Sequence, residues 1–280
     1  MKKVCASCVG LNVANVIKTD NESLPEWLQT TDYVSKFIKG QSNFKQVKNK
    51  KTDTKLELDL GVSRAGKYVL YWGAESSVFP KVKNAKQAYG SFKNNGITKV
   101  NSNGIVTLYF NCPQPYSTTV KGKRSKETFY RHVHFCLSNK ANNKWLSTVY
   151  TKIIICRLSL KNTLSIVKKG DAVLINSLPR TMYGKGHIPN SYNLPHTELK
   201  RMSQDDLMNW FGDVVKMNYS KLHKMIKENK LNVYEIPIIV YCAHSDCSSS
   251  NVAATELLKK GFVNVSEFKG GMREYLASKN

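Results

Sequence analysis

Apolar and polar positions along the chain fall into three successive patterns, each predicting a different kind of structure. Residues 1 to about 60 contain one strongly amphipathic stretch, SLPEWLQTTDYVSKFIKG, in which Trp27, Leu28, Val34, Phe37 and Ile38 share a helical face. Ser23 and Glu26 form a capping box at its start, and Gly40 stops it. The lysine run that follows, KQVKNKKTDTK, is poor in apolar side chains and reads as an exposed linker.

Between about residues 61 and 160 the pattern changes to short β-rich runs, KYVLYWG, GIVTLYF, YRHVHFCL and STVYTKIIICRL, separated by Asn, Gly, Pro and Lys clusters. NSNG at residues 101–104 predicts a tight hairpin turn, and the spacing of the runs predicts an all-β sandwich. From about residue 161 to the end, AVLIN, IPIIVYC and VNVSEF alternate with helical patterns such as SQDDLMNWFGDVVKMN, YSKLHKMIKENK, SSNVAATELLKKG and MREYLAS. Such alternation predicts a parallel sheet covered by helices. The expected fold class is therefore a multi-domain α and β protein, a β-sandwich followed by an α/β domain, without an internal repeat.

Composition refines this picture. With 280 residues, 41% of them apolar, the chain can build two cores. No run approaches the length of a membrane span, and the N-terminus lacks a signal peptide's long apolar centre, so a cytoplasmic, reducing setting is expected. Seven irregularly spaced cysteines agree with reduced thiols; Cys112 and Cys156 read as core residues. Cys5 and Cys8 form a C-x2-C knuckle with no second pair to complete a zinc site, and read as an exposed terminal pair. The net charge of +23 attracts nonspecific anionic partners, but it is carried by lysine among asparagines, without the interleaved arginine and aromatic residues of a base-reading surface.

Candidate chemistry concentrates in VYCAHSDCSSSNVAATELLKKGF. IPIIVYC has the continuous apolar character of a strand buried on both faces, which puts Cys242 at its carboxyl end, where open α/β sheets place ligands. Ser248, Ser249 or Ser250 can cap the following helix, whose Val252, Ala253, Leu257 and Leu258 face inward. Backbone N–H groups of such a bend favour an anion, so Cys242 is expected to be partly thiolate at neutral pH.

GDAVLINSLPRTMYGKGHIPNSYNLP and LLKKGFVNVSEFKGGMREY, on either side of this loop, resemble the two flanking motifs of rhodanese-like domains, with Tyr275 where that family has tryptophan. The resemblance implies a sulfurtransferase in which Cys242 takes sulfane sulfur from a donor as a persulfide and passes it to an acceptor, with no cofactor required. Ala243, Ser245, Asp246, Ser248 and Ser249 would line the active-site loop, and His244 would support the thiolate or donate a proton, unless it is an exposed loop histidine.

The loop departs from the common family pattern. Cys247 stands where a cationic or hydroxyl residue is usual; it is either a thiol that resolves the modified Cys242 by disulfide formation or a small residue that fits the bend. Ser248 stands where phosphatases of this fold carry the arginine that grips phosphate, which argues against that activity. Asp246 opposes anionic donors such as thiosulfate. Asn176 and Leu178 replace the family's aspartate and arginine, so a catalytically inactive, partner-binding domain is the alternative.

A second constellation lies in YRHVHFC. His132 and His134 share one face of a strand at a spacing that lets both imidazoles reach one metal ion, and Cys136 shares that face. With Tyr89 in AYGSF and Tyr116 in CPQPY, the region resembles intradiol ring-cleaving dioxygenases, β-sandwich enzymes that hold iron with two tyrosines and an H-x-H pair. The resemblance implies iron or another metal at this strand, although the spacings are shorter and the family's proline-rich entry is missing. Packing of the histidines within a recognition domain is the alternative.

Overall fold

The structure, a computed structural model, describes residues 3–4, 16–18, 52–77, 84–119 and 126–279. The amphipathic stretch at residues 23–40, most of the lysine run, and Cys5 and Cys8 lie outside the described residues. Among the described residues, 16–77 and 84–154 belong to one compact unit and 155–279 to another.

The first unit is antiparallel. Two short strands, β1 (Lys3–Val4) and β2 (Val16–Lys18), precede β3 (Thr54–Asp59), β4 (Tyr68–Gly73), helix α1 (Ala85–Tyr89) and β5 (Asn95–Lys99). They are followed by β6 (Ile105–Phe110), β7 (Tyr116–Thr119), β8 (Lys126–Phe129), β9 (His132–Leu137) and β10 (Tyr150–Ile153). One sheet has the order β2-β10-β9-β4-β5; β3 pairs with β6, and β7 with β8. Burial explains the differing sequence patterns. The central strand β9 is buried along its whole length, so HVHFCL does not alternate in burial, whereas β6 buries only Val106, Leu108 and Phe110 on one face.

The NSNG segment forms the expected tight turn: Asn101 Oδ1 accepts from the N–H groups of Asn103 and Ile105, and Gly104 has φ 79°. The strands it joins, β5 and β6, belong to different sheets, so the turn makes a corner rather than a hairpin. Gly104 is required there, because a Cβ would lie 2.3 Å from the Gly61 carbonyl carbon.

The second unit contains β11 (Cys156–Arg157), α2 (Leu160–Lys168), β12 (Val173–Asn176), α3 (Arg180–Lys185), β13 (Ser191–Asn193) and α4 (His196–Arg201). It continues through α5 (Gln204–Asn218), α6 (Ser220–Lys227), β14 (Ile238–Tyr241), α7 (Ser249–Lys259), β15 (Val265–Phe268) and α8 (Gly271–Ala277). The strands form a five-stranded parallel sheet, β11-β15-β14-β12-β13, with α5 entered through a Ser203/Asp206 capping box. Strands β12 and β14 are fully buried, and side chains such as Leu174, Ile175, Ile239 and Val240 each contribute about 1.5–3 kcal/mol by leaving water. This rigid centre fixes where β14 ends and its loop begins.

Among the described residues no helix is long and apolar enough to cross a membrane. Cys136, Cys242 and Cys247 are free thiols. Cys112 and Cys156 are buried, as expected of core residues, but each is disulfide-bonded, which corrects the expectation of reduced thiols for these two.

Candidate functional site

The loop after β14 is held from two sides. Cys242 follows directly on Tyr241, the last residue of β14, and α7 begins seven residues later at Ser249. Within the loop, the Cys247 N–H donates to the His244 carbonyl at 3.0 Å. From outside, the N–H groups of Met272 and Arg273 in the first turn of α8 donate to the carbonyls of Cys242 and Ala243, at 3.0 and 2.9 Å. That approach depends on Gly271: it has φ 61°, and a Cβ would lie 2.4 Å from the Cys242 carbonyl oxygen. The paired glycines of the FKGGMREY motif thus clamp the loop.

The opposite motif, GHIPNSYNLP, is tied to the same strand. The Ile188 N–H donates to the Tyr241 hydroxyl at 3.0 Å, and Ser191 Oγ lies 2.8 Å from it. Asn176, in the aspartate's place, accepts from the Leu178 N–H at 2.9 Å, so it retains the local turn without the charge. Tyr275, in the tryptophan's place, is buried in the same core cluster as Leu174, Ile239 and Phe268.

Cys242 is buried, and its Sγ sits 3.1 Å from Ser250 Oγ, which itself donates to Glu267 Oε1 at 2.7 Å. Burial and the hydrogen bond to Cys247 push the Cys242 thiol up. For Cys247, burial also acts upward, but it is outweighed by hydrogen bonds from the Cys242 thiol, the Ala243 N–H, and the Ser249 side chain and N–H, which bring this thiol down to about 7. Hydrogen bonding thus favours an anion within the thiol pair, most strongly at Cys247. The amides of the bend reach both sulfurs: Ser250 offers its hydroxyl and N–H to Cys242, where burial and Cys247 outweigh them, and the N–H groups of Ala243 and Ser249 reach Cys247.

The other loop residues are less closely engaged. His244 Nδ1 accepts from the Asp246 N–H at 3.3 Å and lies 3.9 Å from the exposed Asp246 carboxylate, so its imidazole faces its own loop. Ser245 donates to Asp246, and Ser248 occupies the helix N-cap without a side-chain capping bond.

Glu267 and Lys269 were not singled out from the sequence, and Ser250 was named only as one of three candidate helix caps. Glu267 is 1% exposed, lies 3.6 Å from Arg157 and 3.7 Å from Lys269, and receives the Ser250 hydroxyl; Lys269 also donates to the Cys247 carbonyl at 2.9 Å. The available signal was an acidic residue inside the otherwise apolar strand pattern VSEF, since a buried carboxylate needs partners.

A family model described as Rhodanese-like domain matches residues 159–278. This stretch is a rhodanese-like domain. Its Cys242 loop lies between the family's two flanking motifs. Solved structures similar to the chain include the human single-domain sulfurtransferase TSTD1, at 20% identity over 44% of this chain and 97% of that one, with a TM-score of 0.31. The Saccharomyces cerevisiae single-domain sulfurtransferase RDL2 is 12% identical over 45% of this chain and 91% of its own, with a TM-score of 0.32. A rhodanese-like domain from an Anabaena protein is 22% identical over 44% and 74%, with a TM-score of 0.29. None of the curated proteins compared with the chain matches it.

Outside the rhodanese-like domain, the first unit brings together the other four residues expected at a site. Tyr89 ends α1, Tyr116 opens β7, and His132 and His134 project from β9. His132 Nε2 lies 3.0 Å from the Tyr89 hydroxyl, 3.4 Å from the Tyr116 hydroxyl and 3.2 Å from His134 Nε2; the two hydroxyls are 3.4 Å apart. The Tyr130 carbonyl can only accept, so His132 Nδ1, 2.6 Å away, carries a proton and its Nε2 presents a lone pair in the neutral ring.

Strand register builds the surroundings. Thr151 and Trp72 are the cross-strand partners of His134 on its two sides; Thr151 Oγ1 lies 2.8 Å from Nδ1, and the Trp72 ring packs 5.6 Å from the imidazole. Burial lowers the His132 pKa to about 4 and that of His134 well below its usual value, so both rings are neutral. Cys136 lies in the same core cluster as Tyr89 and Tyr116, its thiol raised by burial. Among the described residues no three histidine, cysteine or acidic side chains form a metal-ligand group; the cluster at His132 is half tyrosine.

Proposed function

We propose that the rhodanese-like domain is a sulfurtransferase that carries sulfane sulfur as a persulfide on Cys242, joined to a β-sandwich formed by the sheets of the first unit. The observation that carries this reading is the placement of Cys242 at the carboxyl end of a central strand, its thiol 3.5 Å from the carbonyl of a second cysteine whose own thiol is brought down to about 7. Cys247 then serves as the local base. As a donor approaches, the Cys242 proton moves to the Cys247 sulfur, and the Cys242 thiolate attacks the donor's outer sulfur. With a persulfide donor RSSH, the donor S–S bond breaks, Cys242–S–SH forms, and RS⁻ leaves. An acceptor nucleophile later removes the outer sulfur and returns the Cys242 thiolate. Asp246, exposed on the loop, disfavours dianionic thiosulfate relative to a persulfide donor.

Intact-mass analysis of the reduced protein after exposure to glutathione persulfide tests the reading. A gain of about 32 Da that requires Cys242 supports it. No uptake with any donor, either as retained mass or as released sulfide, would make the domain a binding scaffold instead.

A second reading concerns the first unit and is favoured by the convergence at His132. Donor atoms around one ion with metal–ligand bonds of 2.0–2.1 Å lie about 2.9 Å apart at right angles and about 3.4 Å apart at tetrahedral angles. The four contacts among Tyr89, Tyr116, His132 and His134 span 3.0–3.4 Å. Three groups crowd one imidazole lone pair, and a cation shared by all four would relieve that competition. Two phenolate oxygens and two imidazole nitrogens are a hard-to-borderline donor set that suits iron(III). Iron held there would supply Lewis-acid and redox chemistry; the protein's part is to fix the His132 tautomer through Tyr130 and to orient His134 through Thr151. Ferric loading of the full chain should give one iron per protein and a visible phenolate-to-iron charge-transfer band that weakens in Tyr89→Phe. A colourless protein that binds no more iron than this variant would leave the cluster as a hydrogen-bonded polar core.

A further inference from the structure

Sulfur loaded onto Cys242 has two conceivable exits, an external acceptor or the neighbouring sulfur, and the loop is built for the second. The Cys242 thiol donates to the Cys247 carbonyl at 3.5 Å, so the loop folds the second cysteine back onto the first. Their mutual position is held at several points: Met272 and Arg273 anchor the carbonyls of Cys242 and Ala243, Lys269 anchors that of Cys247, and the Cys247 N–H is tied to His244. Two groups held in this way react at an effective concentration far above that of any dissolved thiol. Cys247 is partly exposed while Cys242 is buried; CAHSDCS contains no arginine or lysine, and the adjacent Lys269 is engaged by the Cys247 carbonyl and Glu267. Beneath Cys242 lies Glu267, one hydroxyl away through Ser250, and it opposes further negative charge there.

We propose that Cys247 is the resolving thiol of this site: it attacks the Cys242 Sγ of the persulfide, forming a Cys242–Cys247 disulfide and expelling hydrosulfide. The inference rests on the sulfurtransferase reading above. The step balances as Cys242–S–SH plus Cys247–S⁻ giving Cys242–S–S–Cys247 plus HS⁻. The S–S bond to the outer sulfur breaks and one between the cysteines forms; the sulfane sulfur leaves reduced by two electrons, and the cysteine pair is oxidised by two. A dithiol reductant then restores both thiols by exchange, so each turnover consumes one dithiol and the partner class is a dithiol reductase or its small-molecule equivalent.

The experiment uses the reduced full chain, freed of reductant under anaerobic conditions and given glutathione persulfide, with intact mass and released sulfide followed together. Cys242→Ser supplies the background for sulfide shed by the donor itself. Wild type should end about 2 Da lighter than the reduced protein, release about one equivalent of sulfide above background, and regain its mass with dithiothreitol. Cys247→Ser should instead retain a gain of about 32 Da, with sulfide release at least about tenfold slower. Cys247→Ala provides the same reading should the serine variant fold poorly.

Wild type that holds a stable persulfide and releases no more sulfide than Cys247→Ser overturns the inference and leaves the sulfurtransferase reading standing. Neither mass gain nor sulfide above background, in wild type and in both Cys247 variants, overturns the sulfurtransferase reading itself.

Discussion

Among the described residues, the thiol pair of the second unit and the histidine–tyrosine cluster of the first are built in opposite ways. The thiol pair lies in a loop at the end of a parallel strand, where backbone N–H groups and a neighbouring thiol stabilise charge on Cys247. The histidine and tyrosine cluster lies on a fully buried antiparallel strand, where burial suppresses charge and both imidazoles stay neutral. A strand end supplies unpaired backbone donors and access, which suits a nucleophile. A strand face supplies rigid, alternating side chains whose neighbours are set by register, which suits a ligand cage. The same element type thus favours charge at its end and suppresses it along its face.

The largest effect expected from this contrast is removal of a nucleophile that nothing else can replace. Cys242→Ser should abolish sulfur uptake, lowering loading by more than about a hundredfold with the second unit still folded, whereas changes at His132 or Tyr89 should leave uptake untouched. Loss of loading in Tyr89→Phe would break the separation of the two chemistries. Conversely, His132→Ala should lower iron affinity by about a hundredfold or more and Thr151→Val by about tenfold, a graded pair that a purely packing role would not produce. Iron content and the charge-transfer band read both.

Backbone clamping comes next in size. In Gly271→Ala the new Cβ meets the Cys242 carbonyl at a φ of 61°, so the loop must move. We expect a loss of about 2–4 kcal/mol in denaturant unfolding of the second unit, together with slower sulfur uptake. Full uptake at unchanged stability would show that the α8 amides do not set the loop.

How much could be read beforehand follows from the same contrast. The parallel sheet was legible because AVLIN and IPIIVYC are short, wholly apolar runs, and because ordered motifs flank the cysteine loop. The NSNG turn was legible but its consequence was not: turn chemistry sets a local reversal, and only tertiary packing sends β5 and β6 to different sheets. Tyr89, Tyr116, His132 and His134 were legible as residues, through strand alternation and resemblance, and their contact distances needed the fold. The convergence of amides on the bend was legible, but their division between two sulfurs was not, since that depends on the path of the loop. Ser250 and Glu267 were missed because a serine among three and an acid within a strand gain meaning only when a thiol is found beside them.

The smallest expected effect tests that division of charge most directly. Cys247 is held at about 7, below the ordinary thiol value, so its alkylation by iodoacetamide should level off above that pH and fall about tenfold per unit beneath it. Cys242, pushed up by burial and by its neighbour, should be labelled more slowly throughout. The linkage to stability has the matching sign. A depressed acidic group adds stability above its unfolded value, and Cys247's contribution is lost as pH falls toward and through about 7. Cys242→Ala removes one hydrogen-bond donor to the Cys247 sulfur while leaving the Ala243 and Ser249 donors, so the midpoint should rise by about one unit and labelling at pH 7 should slow several-fold. An unchanged midpoint would mean that the backbone amides alone hold the charge and that the two thiols titrate independently, which removes Cys247 as the base for Cys242 while leaving its attack on a persulfide open to the mass experiment.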